Sequence, residues 1–207
     1  MTVRRVRWWM LVLGAAAAIV VALRLWDGSW TARPYRLLVS SSAAGNPRIV
    51  QLLLWLGLDP DAEVEGRGFP LFAAAGTGQR RVVALLLDRG ADVNHRTKHG
   101  NTALQAALHA RQLDLAQELM MRGADLEIAG EDGPPLLAAV RACQPEAVEL
   151  LLRNGANPDA ASPMGTAREY SNRHGCSAVR AMFEQVPTTT RLRPGARRGD
   201  AAANERQ

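Results

Sequence analysis

The stretch RVVALLLDRGADVNHRTKHGNTAL, residues 81–104, decides the fold, because its phrases return elsewhere in the chain at a fixed interval. Its leucine-rich run ends at Gly90, and similar runs end at Gly57, Gly123 and Gly155. The first two steps between these glycines are 33 residues long and the last is 32. Such a period is typical of stacked repeats rather than of one closed globular core.

Each copy contains two short apolar segments. The second segments are IVQLLLWLGLDPD, VVALLLDRGADVN, LAQELMMRGADLE and AVELLLRNGANPD, and the first segments include FPLFAAAGTGQ, NTALQAALHARQ and PPLLAAVRACQP. Paired alanines in the first segments let two helices approach closely, and leucines in the second provide a surface to bury against the neighbouring copy. One unit cannot bury its apolar face alone, whereas five in a row bury a continuous one.

Several helix-terminal signals agree with this pattern. Thr102 and Thr166 are candidate N-caps, and Pro70 and Pro135 fall in the first turn of predicted helices. Glycine closes the second helix of each copy, because the residue after a helix commonly needs a positive φ.

These repeats closely resemble the ankyrin repeat family over about residues 34–186. The resemblance implies an all-α solenoid of about five helix-turn-helix repeats with β-turn fingers between them. The predicted copies are about 34–66, 67–99, 100–132, 133–164 and 165–186.

The chain departs from the family in two respects. The family's TPLH appears as FPLF, TALQ, PPLL and TARE, so its histidine is replaced at Phe72, Gln105, Leu137 and Glu169. The resemblance implies that a hydrogen-bonding link between copies is lost there, and we expect some loss of rigidity. The first copy carries Ser40, Ser41 and Ser42 where alanines are usual, which predicts the polar outer face of an end cap.

The N-terminus predicts a membrane anchor. Residues 1–7 form a basic flank, and residues 8–26 are apolar except for Arg24. A spanning helix needs about 17–25 such residues, so we favour an uncleaved single-pass transmembrane signal-anchor followed by a linker at 27–33. The basic flank favours an extracytoplasmic, periplasmic repeat domain. The alternative is a cleaved signal peptide and a soluble periplasmic or secreted effector or inhibitor.

Composition limits the remaining function classes. Lys98 is the only lysine among 25 basic residues, a bias typical of a GC-rich genome and hence of a bacterial-type protein. The arginines are scattered rather than gathered on one face, which argues against nucleic acid as a partner. Residues 187–207 are rich in Pro, Arg, Gly and Ala, and predict a disordered basic tail.

No motif for catalysis, cofactor binding or metal binding stands out. G-x-S-x-G, H-E-x-x-H, P-loop and C-x-x-C motifs are all missing from the sequence. His95 and His99 lie in a predicted turn, where we expect them to be solvated. Cys143 and Cys176 occupy nearly equivalent places in adjacent copies. Copies spaced by about 10 Å cannot be bridged, so we predict two free, partly buried thiols.

The predicted function is therefore binding without catalysis, and we expect the protein to be a monomer. In the ankyrin family, partners dock on a concave face made by the finger tips and the first helices. The positions of this chain that match the finger tips are Glu63, Glu65, Arg67, Lys98, His99, Asn101, Glu131 and Asp132. Those that match the first helices are Thr77, His109 and Arg141. The expected partners are a protein at this face and the membrane at the N-terminal helix.

Overall fold

The computed structural model describes residues 32–174 and 176–185, and within these ranges the chain forms helices and turns with only two isolated β-bridges. The helices form five consecutive pairs. The pairs are α1 Ala32–Ala43 with α2 Pro47–Trp55, α3 Pro70–Gly76 with α4 Arg80–Asp88, α5 Ala103–His109 with α6 Leu113–Met121, α7 Pro135–Arg141 with α8 Pro145–Arg153, and α9 Ala167–His174 with α10 Ser177–Gln185.

The pairs are stacked side by side. Helix α1 packs on α3, α3 on α5, α5 on α7 and α7 on α9, so the first helices form one continuous layer. Second helices also meet, α2 on α4, α6 on α8 and α8 on α10. The all-α stacked architecture is confirmed for the described part of the chain.

The repeated leucines form the centre of this stack. Leu38, Leu71, Leu104 and Leu136 occupy the same place in successive first helices, and all four are buried. Together with the buried faces of the second helices they belong to a single continuous hydrophobic core. Each copy is therefore stabilised mainly by apolar area that it shares with its neighbours.

The predicted helix starts are also present. Thr102 Oγ1 accepts a hydrogen bond from Gln105 N, and Gln105 Oε1 accepts one from Thr102 N, which completes a capping box. Thr166 and Glu169 exchange the same two bonds at the start of α9. Pro70 and Pro135 begin α3 and α7.

The expected loss of a link between copies is wrong at Gln105. Its side chain is buried, and Nε2 donates a 2.9 Å hydrogen bond to the carbonyl oxygen of Gly133 in the connection to the next copy. A glutamine amide is long enough to complete its own capping box with one atom and bridge to the next copy with the other. The link is therefore made here without a histidine.

Gln105→Ala should lower the free energy of unfolding by about 2 kcal/mol, because it removes three hydrogen bonds, the longest of them 3.5 Å, and leaves the buried Gly133 carbonyl without this donor. Urea unfolding followed by circular dichroism in mild detergent measures this loss. Gln105→His is the matched control, since it supplies the family's own side chain at this position and should cost less. Equal stability of Gln105→Ala and the wild type would contradict the assigned bridge.

The prediction of free thiols is wrong. Cys143 and Cys176 form a disulfide, with their Cα atoms 6.0 Å apart. Cys143 lies in the turn between α7 and α8, and Cys176 directly precedes α10. The distance of about 10 Å applies to the axes of packed helices, whereas these two residues lie in the turns, which approach more closely.

Earlier copies show why the turns can be bridged. Gly45 and Gly78 occupy the place of Cys143, and a Cβ atom added at either would collide with Gln79 or Gln112 in the turn of the next copy. A side chain at this position therefore points at the neighbouring turn. In the last two copies, a covalent bond replaces that contact.

The predicted polar outer face of the first copy is also wrong. Ser41 and Ser42 are buried, and Ser42 Oγ donates a 2.8 Å hydrogen bond to the carbonyl oxygen of Leu38, one helical turn back. This local bond satisfies the hydroxyl group, so serine can replace alanine in the interior. The exposed surface of this copy instead carries large apolar side chains from α1 and α2.

The predicted anchor at 8–26 and the predicted tail at 187–207 lie outside the described residues. Among the residues that are described, no helix has the length and apolar character to cross a membrane.

Candidate partner-binding surface

Narrow turns connect successive copies, and three of those in the described part form the fingers. Finger 1 (residues 63–68) is closed by a bridge between Val64 and Gly68. Finger 2 (residues 97–101) is closed by Thr97 N, which donates to the carbonyl oxygen of Asn101 at 2.9 Å. Finger 3 (residues 130–133) is closed by a bridge between Gly130 and Gly133.

Two of the predicted binding residues hold neighbouring fingers together. Glu63 Oε1 accepts a 2.9 Å hydrogen bond from Lys98 N, which ties finger 1 to finger 2. Asn101 Oδ1 accepts a 3.1 Å bond from Glu131 N, which ties finger 2 to finger 3. Both side chains therefore position the surface, and a partner could use only their remaining hydrogen-bonding capacity.

A second series of bonds runs through the connections just before the fingers. Asp61 accepts from Asp92 N at 3.1 and 3.0 Å. Asn94 accepts from Asp125 N at 2.8 Å, and Glu127 from Asn157 N at 2.8 Å. We call Asp61, Asn94 and Glu127 the ladder residues. Sequence reasoning missed them, although a polar side chain recurs every 33 residues at 61, 94 and 127.

Partial burial raises the pKa of Asp61 above its usual 3.8, although the bond from Asp92 N opposes the shift. Because the folded-state pKa exceeds the unfolded value, the folded chain takes up the proton first as pH falls. The contribution of Asp61 to stability is therefore full below pH 3.8 and is lost as pH rises through the folded-state pKa.

Asp61→Asn should remove this pH dependence and leave stability at pH 7 unchanged within about 0.5 kcal/mol. Asparagine keeps the acceptor oxygen, as Asn94 shows one copy further on. Urea unfolding of both proteins at pH 4 and pH 7 measures the difference. Asp61→Ala, which removes the acceptor, should cost about 1 kcal/mol at pH 7 and more at pH 4, where the wild type also has the contribution of protonated Asp61. An equal loss in the asparagine and alanine variants would contradict the role assigned to the oxygen.

A cleft of about 210 Å³ separates finger 1 from finger 2. Its lining includes the partly buried Phe72 and the buried Thr97. Five of the predicted binding residues line it, and these are Glu63, Arg67, Lys98, His99 and Asn101. The structure thus brings nearly half of the predicted set around one opening, which we call the finger cleft.

A second group of predicted residues lies further along the array. Arg141 Nη1 donates a 2.8 Å hydrogen bond to Asp132 Oδ1, and His109 Nε2 lies 3.7 Å from Asp132 Oδ2. The negative charge of Asp132 is therefore largely neutralised by Arg141. Thr77 joins neither group, because it follows the end of α3 and donates to the carbonyl oxygen of Ala73.

The remaining predicted side chains are available for a partner. They are exposed, and within the described part of the chain they make no hydrogen bond or ion pair. These side chains are Glu65, Arg67, Lys98, His99 and Glu131. The fingers therefore present unneutralised charges of both signs, and the cationic ones lie at the finger cleft.

The histidines of this region differ from the prediction in one case. His95 is not simply solvated, because its ring packs edge-on against Phe69 with ring centroids 4.7 Å apart. His99 is exposed, as expected. Over the described residues, no cluster of three His, Cys, Asp or Glu side chains is arranged to hold a metal ion.

Comparison with known families accounts for the stacked helix pairs and their fingers. A family model described as "Ankyrin repeats (3 copies)" matches residues 37–130, and a second, described as "Ankyrin repeat", matches residues 134–163. Together these ranges cover more than half of the 207 residues, and the chain belongs to the ankyrin repeat family. Members are generally non-catalytic scaffolds for protein–protein interaction. No curated protein matches the chain.

Proposed function

We propose that this protein is a non-catalytic, membrane-tethered adaptor that binds a protein partner at the finger cleft. The observation that carries the proposal is the cluster of Arg67, Lys98 and His99 around one opening, where none of these side chains has a hydrogen-bond or ion-pair partner among the described residues. A charged side chain that makes no such contact can use its charge to recognise a partner of opposite charge.

The chemistry of the cleft favours an acidic segment of the partner. Arg67 and Lys98 are both positively charged at neutral pH, and Arg67 can bind a carboxylate through two parallel hydrogen bonds. Glu63 also lines the cleft, so its carboxylate offsets one of these two positive charges and leaves the cleft with one positive charge in excess. Phe72, which also lines the cleft, offers an apolar surface beside the charges.

Two observations support an extracytoplasmic position. The Cys143–Cys176 disulfide fits an oxidising compartment, since disulfides are rare in the reducing cytosol. The apolar segment 8–26 has the length of a single membrane span, and its basic flank favours a cytoplasmic N-terminus. Tether and disulfide together suit a repeat domain held at the outer surface of a cytoplasmic membrane.

Reversing the charge of the finger cleft, by Arg67→Glu with Lys98→Glu, should weaken partner binding at least about tenfold, or about 1.4 kcal/mol. The measurement is affinity capture from membrane extract with the full chain, followed by titration of the captured protein. The matched control is Arg81→Glu with Arg89→Glu, which makes the same charge change at exposed residues of α4 and its end. Capture of the same protein in equal yield by both variants would contradict the proposed site.

The opposite charge change at finger 3, Glu131→Arg, tests whether the partner binds at the finger cleft alone or along all three fingers. We expect a smaller effect, because Glu131 is exposed but does not line the cleft. A loss as large as that of the cleft variant would place the binding surface along all three fingers.

The tether itself has a separate test. Extraction at high salt should leave the full chain in the membrane fraction, and its intact mass should include residues 1–31. Release by salt alone contradicts the anchor. A mature protein that begins near Leu23 would favour the soluble periplasmic or secreted alternative.

A further inference from the structure

The first copy exposes a surface that later copies bury. Leu37 occupies the place of Pro70, Ala103 and Pro135, which are all buried, yet it is 48% exposed. Ile49 occupies the place of Val82, Leu115 and Ala147, also buried, and it is 37% exposed. Each of these later copies is preceded by another copy in the described structure, whereas the first described copy is not. Its exposed surface is therefore the one against which a preceding copy would stack.

The exposed apolar surface continues along α2. Arg48, Leu52 and Trp55 follow one another at helical spacing on the side opposite the buried Val50 and Leu53. Leu52 is 54% exposed and Trp55 is 68% exposed. At the place of Trp55 the later copies have Asp88, Met121 and Arg153, so a tryptophan is peculiar to the first copy. We call this surface the first-copy face, and it comprises Arg36, Leu37, Arg48, Ile49, Leu52 and Trp55.

The charge around this face has one sign. Between residues 32 and 58 the sequence contains three arginines and no lysine, aspartate or glutamate. Arg36 and Arg48 are exposed and make no ion pair with any described residue. A second copy of the chain would oppose arginine with arginine across a two-fold axis. An anionic surface would neutralise them instead, so charge complementarity selects against self-association.

The position of the face in the chain limits what can reach it. Six residue steps separate Trp26, at the end of the proposed anchor, from Ala32 at the start of α1. Fully extended, they span at most about 22 Å, less than the thickness of one bilayer. The first copy therefore stays beside the membrane for as long as the anchor is inserted.

We propose that the first-copy face lies on an anionic lipid surface. Leu37, Ile49, Leu52 and Trp55 then lie at the boundary between headgroups and acyl chains, where tryptophan is favoured, while Arg36 and Arg48 contact lipid phosphates. The inference rests on the proposed membrane tether. It adds a second contact that fixes the orientation of the array, whereas the anchor alone fixes only its distance from the membrane.

Lipid quenching of tryptophan fluorescence tests this contact in the full chain. In the test variant, Trp8, Trp9, Trp26 and Trp30 are replaced by phenylalanine, which leaves Trp55 as the single tryptophan. The matched control adds Trp55→Phe and Met121→Trp, which moves the tryptophan to the same place two copies further on, where Met121 is 73% exposed. Both proteins are reconstituted in phosphatidylglycerol-rich vesicles that contain lipids brominated near the headgroup.

The expected result is at least twofold stronger quenching of Trp55 than of the control tryptophan. Adding Arg36→Glu and Arg48→Glu, or using neutral phosphatidylcholine vesicles, should reduce the quenching of Trp55 at least twofold. Equal quenching in the test and control proteins would overturn the proposal. So would emission from Trp55 that is shifted to the blue but not quenched, because the face would then be covered by protein, either the N-terminal segment or a second copy.

Flotation of the same samples separates this inference from the tether on which it rests. If the proteins float with the vesicles and Trp55 is not quenched, the first-copy contact fails and the tether stands. If neither protein floats, the tether fails and the inference fails with it.

Discussion

Loss of the Cys143–Cys176 disulfide is expected to lower the free energy of unfolding by about 3–4 kcal/mol, the amount typical of a loop of this length. The two cysteines are 33 residues apart, and the bond encloses α8 and α9. Helix α9 buries little apolar surface of its own, since Ala167 and Ser171 are its buried residues. The disulfide should therefore contribute more to the stability of the last copy than a similar bond would contribute to a central copy.

The measurement compares urea unfolding of the wild type, with and without dithiothreitol, and of Cys143→Ser/Cys176→Ser, in mild detergent. Reduction should shift the wild type to the curve of the double variant. The double variant itself should not respond to dithiothreitol, which controls for other effects of the reductant. Coincident curves for oxidised and reduced wild type would contradict the assigned stabilisation.

Leu104→Ala is expected to have a similar effect, with a loss of about 3 kcal/mol. Leu104 is fully buried in α5, which packs on α3 on one side and on α7 on the other. A cavity at this point weakens the contacts of the central copy with both neighbours. Because copies in a stack are stabilised by their neighbours, the defect should also broaden the transition as the two halves uncouple.

Leu52→Ala is the matched control, since it makes the same chemical change at a leucine that is 54% exposed in the described structure. In detergent solution it should cost less than about 0.5 kcal/mol. Equal losses at Leu104 and Leu52 would mean that burial in the layer of first helices does not determine stability. A sharp, unbroadened transition for Leu104→Ala would contradict the uncoupling of the halves.

The sequence was sufficient to predict the stacked helices because the evidence for them is local and repeated. Leu71, Leu104 and Leu136 recur at nearly constant spacing, and each is followed by alanines that permit close helix packing. Capping at Thr102 was also predictable, since a capping box depends on residues only three apart.

Features that depend on distances between copies were not predictable in the same way. The turns of Cys143 and Cys176 approach more closely than helix axes do, so an estimate from helix packing wrongly excluded the disulfide. Gln105 bridges two copies because its side chain reaches Gly133, which the pattern of apolar residues does not reveal. Ser42 is buried because a bond to its own helix satisfies its hydroxyl group.

The same limit applies to the candidate site. Family resemblance predicted which positions face a partner, and five of them do line the finger cleft. The resemblance could not show that the side chains of Glu63 and Asn101 already accept hydrogen bonds from backbone amides of the next finger. Which charged side chains remain available to a partner depends on how successive fingers are aligned, and only the three-dimensional structure shows that alignment.

The ladder residues have a consequence for how such an array can change its length. The side chain of each ladder residue accepts a hydrogen bond from a backbone amide of the following copy. These bonds run in the same direction at Asp61, Asn94 and Glu127. A backbone amide is present whatever the side chain of that residue. A duplicated copy that brings one such acceptor would therefore join both neighbours without compensating mutations in either, so the chain can grow or shorten by whole units.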